Sequence, residues 1–258
     1  MGDPVRYQVQ AGVATLTLDR PENRNALTPE MLDGIGESVG RAVADPAVRV
    51  VVVTNTPPVF CAGADLKGSR SRSDAPGAGP RHDLAAVLRS IQDSPKPVVA
   101  RIAGHCMGGG VGLAAAADLS VAADDVLFGF TEVRVGVAPA VISVVCLPKM
   151  RRSDALELFL TGERITAERA SQVGLITMSV PRMALDEAIA TVVDALLAGA
   201  PGALAAAKTL VARVPGEDRE VAFRWTAELS ARLFASEEAA EGMAAFREKR
   251  SPSWRPRA

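Results

Sequence analysis

Apolar and polar positions change period repeatedly along the first hundred residues. Residues 5–9 and 13–18 carry apolar side chains on nearly alternate positions and read as strands, and Val50 to Val53 form an unbroken apolar run of the kind buried on both faces. Between them, residues 29–44 repeat at helical spacing. Thr28 stands at the N-cap with Pro29 in the first helical position, and Asp45-Pro46 ends the segment. A further helix over 84–92 and a strand over 98–102 continue the rhythm, which is that of an α/β fold. From about Ser153 the pattern is mainly helical, over 184–197, 203–214, 220–234 and 237–249, with one strand near 175–180. Ser236 caps the last helix, with Glu237 and Glu238 in its positive first turn. Trp225, Leu229, Leu233 and Phe234 make an apolar stripe that needs a cover, which we expect from the chain's own core and from neighbouring subunits together.

The apolar strand at 98–102 runs into Gly104-His105-Cys106-Met107-Gly108-Gly109-Gly110 and then an alanine-rich helix. Glycines let a backbone approach a ligand closely, and the amides that open a helix point toward negative charge. Phe60-Cys61-Ala62-Gly63-Ala64-Asp65 follows the run at 50–53 in a similar way. Two amide donors from separate loops form a hole for a developing oxyanion, and losing one such donor costs roughly 10²–10³ in rate. Acyl-transfer and enolate-forming enzymes need that arrangement.

Composition narrows the classes. At 258 residues and a formal net charge of -1 the chain has no basic surplus, so no nucleic-acid partner is expected. The first residues lack the apolar run of a signal peptide and no stretch is long enough to span a bilayer, so a cytoplasmic protein with no membrane partner is expected. Cys61, Cys106 and Cys146 are far apart and read as reduced thiols, and with only His82 and His105 available no metal site is expected. Residues 69–80, rich in Ser, Arg, Gly and Pro, read as a mobile loop beside the second donor segment.

Gly36-Glu37-Ser38-Val39-Gly40 matches the pattern of a hydrolase nucleophile, but Ser38 sits inside a helical run rather than at a strand-to-helix turn, and the nucleophile reading is rejected. The glycine turn is no dinucleotide fingerprint, because Leu113 stands where the third glycine would, and no Walker A sequence occurs. Glu132, just beyond an apolar strand, is the candidate acid or base. Apolar neighbours would raise its pKa, whereas a structural ion pair with Arg134 would leave it inert, and the two readings stand level. His105 reads as a packing residue.

Taken together, residues 60–66, 104–110 and 128–136 resemble the enoyl-CoA hydratase/isomerase, or crotonase, superfamily, and the likeness runs from Arg20 through residues 160–163 to Arg250. The resemblance implies a spiral of ββα units over 1–198 and a helical region over 199–258 that assembles trimers or hexamers. It implies an acyl-CoA thioester as substrate, with no separate cofactor. The amides of Ala64 and Gly109 would bind the thioester oxygen. Ala62, Ala64, Asp65 and Leu66 would line the CoA site, with Arg24 and, from a neighbouring subunit, Phe246 and Lys249 at the nucleotide. Glu132 matches one of the two glutamates of the hydratases, and Gly112 occupies the position of the other.

With Gly112, the segment 131–143 looks like the branch that hydrates branched glutaconyl-type CoA esters. The reading is therefore an enoyl-CoA hydratase adding water to a 2-enoyl-CoA. The alternatives are a single-glutamate double-bond isomerase and a catalytically silent acyl-CoA binder, and a hydrolase ranks last.

Overall fold

The computed structural model describes residues 2–65 and 82–255. Leu66 and the loop at 69–80 lie outside them. Ten strands make two sheets among the described residues. The larger places β1 (Val5–Gln10), β2 (Val13–Leu18), β3 (Val50–Asn55), β5 (Val98–Ile102), β7 (Leu119–Ala123) and β10 (Met178–Val180) side by side, parallel except for the β1–β2 hairpin. The smaller holds β4 (Val59–Cys61), β6 (His105–Met107), β8 (Leu127–Gly129) and β9 (Arg164–Thr166), with only β9 antiparallel.

Each turn of the chain lays one strand in the large sheet, a three-residue strand in the small one, and then a helix. β3 and β4 lead to α2 (Leu84–Gln92), and β5 and β6 to α3 (Gly109–Ala116). β7 and β8 lead through a 3-10 turn at Thr131–Val135 to α4 (Ala140–Cys146). This is the expected ββα spiral. β3 is buried along its whole length, as a central parallel strand covered on both faces must be, while β2 buries only Ala14, Leu16 and Leu18. The step between sheets is tight at Gly104, where an added Cβ would stand 2.4 Å from the Pro58 carbonyl oxygen.

Helix α1 (Pro29–Ala44) begins as expected, with Thr28 Oγ1 accepting from the Met31 N–H at 3.2 Å. Its buried face contains Ser38, which confirms that this serine is no exposed nucleophile. Helix α3 buries all eight of its residues, and such a helix needs small side chains where another helix crosses it. At Gly112 an added Cβ would lie 2.4 Å from Ile142 Cγ2, so α4 sits directly on the bare Cα.

The second half adds α5 (Arg152–Thr161), α6 (Ala167–Gln172), α7 (Leu185–Ala198), α8 (Pro201–Arg213), α9 (Arg219–Phe234) and α10 (Glu237–Glu248). The strand expected near 175–180 begins only at Met178, because Leu175 and Ile176 both donate to the Ala170 carbonyl and close the end of α6. Ser236 Oγ accepts from Ala239 N–H, the expected cap of α10. In the α9 stripe Trp225, Leu229 and Leu233 are half-buried and Phe234 is 72% exposed, so one chain covers it in part. The helical end is tethered to the sheet by Arg49, which donates to the carbonyls of Gly199 and Trp254. No single helix among the described residues is long and apolar enough to cross a membrane.

The contact between Gly112 and Ile142 gives a direct test of the α3–α4 packing. Gly112→Ala is expected to lower stability by roughly 1–3 kcal/mol through overpacking, read as a fall in the denaturant midpoint at unchanged slope.

Candidate active site

The two glycine-bearing segments meet. Gly63 has φ +87°, and an added Cβ there would fall 2.9 Å from the Met107 carbonyl oxygen and 3.2 Å from the Gly109 amide nitrogen. Only a residue without a side chain permits that approach. The 62–64 segment is held from outside by the Ala62 N–H on the Arg24 carbonyl at 3.0 Å and the Leu27 N–H on the Gly63 carbonyl at 2.8 Å. Ala64 forms a parallel bridge with Leu27. In such a bridge the flanking residues make the bonds, so the N–H of Ala64 itself points the other way. Gly109 is the first residue of α3, where an N–H has no intrahelical partner. Among the described residues neither amide has an acceptor, and both residues line one cavity of about 280 Å³.

Glu132 stands in the wall of the same cavity. Its approach depends on Gly108, whose φ of 51° and ψ of -120° suit glycine, and an added Cβ at Gly108 would lie 3.0 Å from Glu132 Oε1. Gly108 is fixed to β8 by donating to the Gly129 carbonyl at 2.9 Å. The 3-10 turn carrying Glu132 is closed by Gly136 and Val137, both of which donate to the Glu132 carbonyl. The buried Glu132 Oε2 has no hydrogen-bond partner, and burial raises the carboxyl pKa above its ordinary 4.5. Arg134, the alternative partner, is engaged elsewhere, reaching Glu163 at 2.5 Å and the Thr161 carbonyl. The structural ion-pair reading of Glu132 therefore falls.

Much of the cavity lining is hydrocarbon: Leu84, Val137, Pro139, Val141 and Ile142. A second cavity of about 770 Å³ shares Ala62, Ala64, Thr131 and Val135 with the first and adds Arg24, Asp65, Arg134 and Arg164. Of the residues singled out from sequence, Ala62, Ala64, Gly109 and Glu132 thus come together, with Arg24 and Asp65 adjoining. Phe246 and Lys249 end α10 and line neither cavity within one chain. His105 is exposed rather than packed, and its Nδ1 accepts from the Leu127 N–H at 3.1 Å. The three cysteines are free and buried, and burial pushes Cys61 and Cys146 up to about 12, so they stay thiols. Leu84, whose helix follows the undescribed loop, had no sequence signal as a site residue.

The sequence pattern of the enoyl-CoA hydratase/isomerase family matches residues 8–257. The chain belongs to this family. A provisionally named enoyl-CoA hydratase of Thermus thermophilus is 37% identical over 95% of this chain and 98% of its own length. An (E)-benzylidenesuccinyl-CoA hydratase of Thauera aromatica is 34% identical over 98% of this chain and 99% of its own. Among solved structures, an enoyl-CoA hydratase of Mycobacterium smegmatis is 34% identical and superposes with a TM-score of 0.88, covering 97% of this chain and 98% of that one.

In this member of the enoyl-CoA hydratase/isomerase family, Gly112 lies beneath α4. A side chain at Gly112 would first meet Ile142, so the position is sealed from the cavity by a hydrocarbon, and Glu132 is the one carboxylate in the cavity wall among the described residues.

Because burial favours protonated Glu132 in the folded chain, the folded state binds this proton more tightly than the unfolded one, and ionisation costs stability as pH rises past the folded pKa. Glu132→Gln is therefore expected to melt at the same temperature as the parent or higher at pH 7, measured by thermal unfolding. A clear loss of stability in that variant would show Glu132 to be a structural ion-pair member.

Proposed function

We propose that the chain hydrates a 2-enoyl-CoA thioester. The observation carrying the reading is that, among the described residues, two acceptor-free amides, on Ala64 and Gly109, line one cavity with a single carboxyl whose buried Oε2 has no partner. The thioester oxygen accepts from both amides. As water oxygen bonds to the β-carbon, Glu132 takes a proton from that water and the electrons of the double bond move through the α-carbon onto the thioester oxygen. The resulting enolate is stabilised by the fixed N–H dipoles. It collapses as Glu132 returns a proton to the α-carbon, and the net change is addition of one water. A group poised to give and take a proton works best with its pKa moved toward the working pH, which the burial of Glu132 supports. The CoA portion would follow the adjoining cavity past Ala62, Asp65 and Arg24, with Phe246 and Lys249 supplied by a neighbouring subunit of a trimer or hexamer.

The hydrocarbon lining of the cavity favours a second reading. One carboxyl in a site with no second group to orient water can move a proton between carbons, shifting a 3-enoyl double bond to the 2-position. Product mass separates the two, since hydration adds the mass of one water and isomerisation adds none. For hydration, incubation with short 2-enoyl-CoA esters is expected to remove the absorbance of the conjugated thioester. Glu132→Gln is expected to lower kcat by roughly 10²–10⁴ while leaving CoA-ester affinity nearly unchanged. Binding without turnover of any 2- or 3-enoyl ester would leave a silent acyl-CoA binder.

A further inference from the structure

We infer that Ile142 sets the acyl specificity of this site, and that the cavity selects acyl groups with an uncharged hydrocarbon end over those ending in a carboxylate. The inference rests on the acyl-CoA reading of the cavity and goes beyond it. Ile142 is 1% exposed, yet it has two neighbours of different kinds: the bare Cα of Gly112 on one side and the cavity on the other. It fills the space a side chain from α3 would take, and with Leu84, Val137 and Val141 it gives the cavity an apolar lining. Glu132 is the sole charged residue of the cavity wall among the described residues.

A distal carboxylate held in this cavity loses hydration, and among the described residues of the lining it meets no cation and only the carboxyl of Glu132 as an ionisable neighbour. A methyl at the same place loses nothing and gains dispersion contacts. Branched glutaconyl-type esters, which carry such a carboxylate, are accordingly disfavoured relative to their hydrocarbon counterparts.

Saturated esters test this by binding alone, because they lack the double bond on which chemistry acts. Butyryl-CoA and succinyl-CoA have acyl groups of matched length that differ in a terminal methyl or carboxylate. By calorimetry butyryl-CoA is expected to bind the full-length chain at least about tenfold more tightly, in line with the roughly 10–200-fold that small changes in an apolar pocket produce. Ile142→Ala is expected to raise the affinity for hexanoyl-CoA relative to butyryl-CoA by about tenfold. Ile142→Val retains Cγ2 over Gly112, so it keeps the helix contact should the alanine variant fail to fold, and it is expected to shift the same ratio a few-fold. Equal binding of butyryl-CoA and succinyl-CoA, or an unchanged chain-length ratio in the folded variants, overturns the inference. Failure of every CoA ester to bind overturns the acyl-CoA reading with it, whereas binding with the expected preference but no turnover sinks only the hydratase reading.

Discussion

The site depends on one backbone contact, the packing of Gly63 against the Met107–Gly109 turn. Two polypeptide segments approach there without a side chain between them, and no residue larger than glycine fits at a φ of +87° with a carbonyl oxygen 2.9 Å from the Cβ position. Backbone amides brought so near must be kept from pairing with each other. Leu27 takes the Gly63 carbonyl, Arg24 takes the Ala62 N–H and Gly129 takes the Gly108 N–H, while among the described residues the N–H groups of Ala64 and Gly109 have no acceptor. Both residues line the cavity, which leaves their N–H groups available to a ligand oxygen under the proposed reading.

The same glycine turn brings the carboxyl to the amides. Gly108 gives up its side chain so that Glu132 Oε1 can lie against its Cα, and the 3-10 turn through Gly136 holds the glutamate backbone by its own carbonyl. The cation that would have quenched Glu132 is drawn off by Glu163 two segments away. A half-buried carboxyl without a charge partner among the described residues has its acid form favoured by desolvation, which raises its pKa.

Much of this was legible before any coordinates. The apolar run at 50–53, the Thr28-Pro29 helix start and the Ser236 cap are local patterns whose causes lie within a few residues, and each appears where its pattern placed it. The three-residue strands of the small sheet were not legible as such, because β4, β6 and β8 are too short to show a period of two. The strand near 175–180 was read too long for a related reason: closure of α6 by Leu175 and Ile176 is a hydrogen-bonding event that hydrophobicity does not report. His105, flanked by Gly104 and Cys106, gave the appearance of a packed residue, whereas its place at the start of β6 leaves it exposed.

The residues alone determined the element types, the two glycine-bearing donor segments, the candidate carboxyl and the family likeness, since propensity, capping and motif spacing act along the chain. Whether Glu132 would be neutralised by Arg134 was beyond them, because the competition was decided by Glu163, which only the fold brings near. So was the nature of the cavity lining, where Ile142 covers the bare Gly112 of another helix. Charge pairing and cavity shape are sums over neighbours distant in sequence, and only the tertiary structure selects those neighbours.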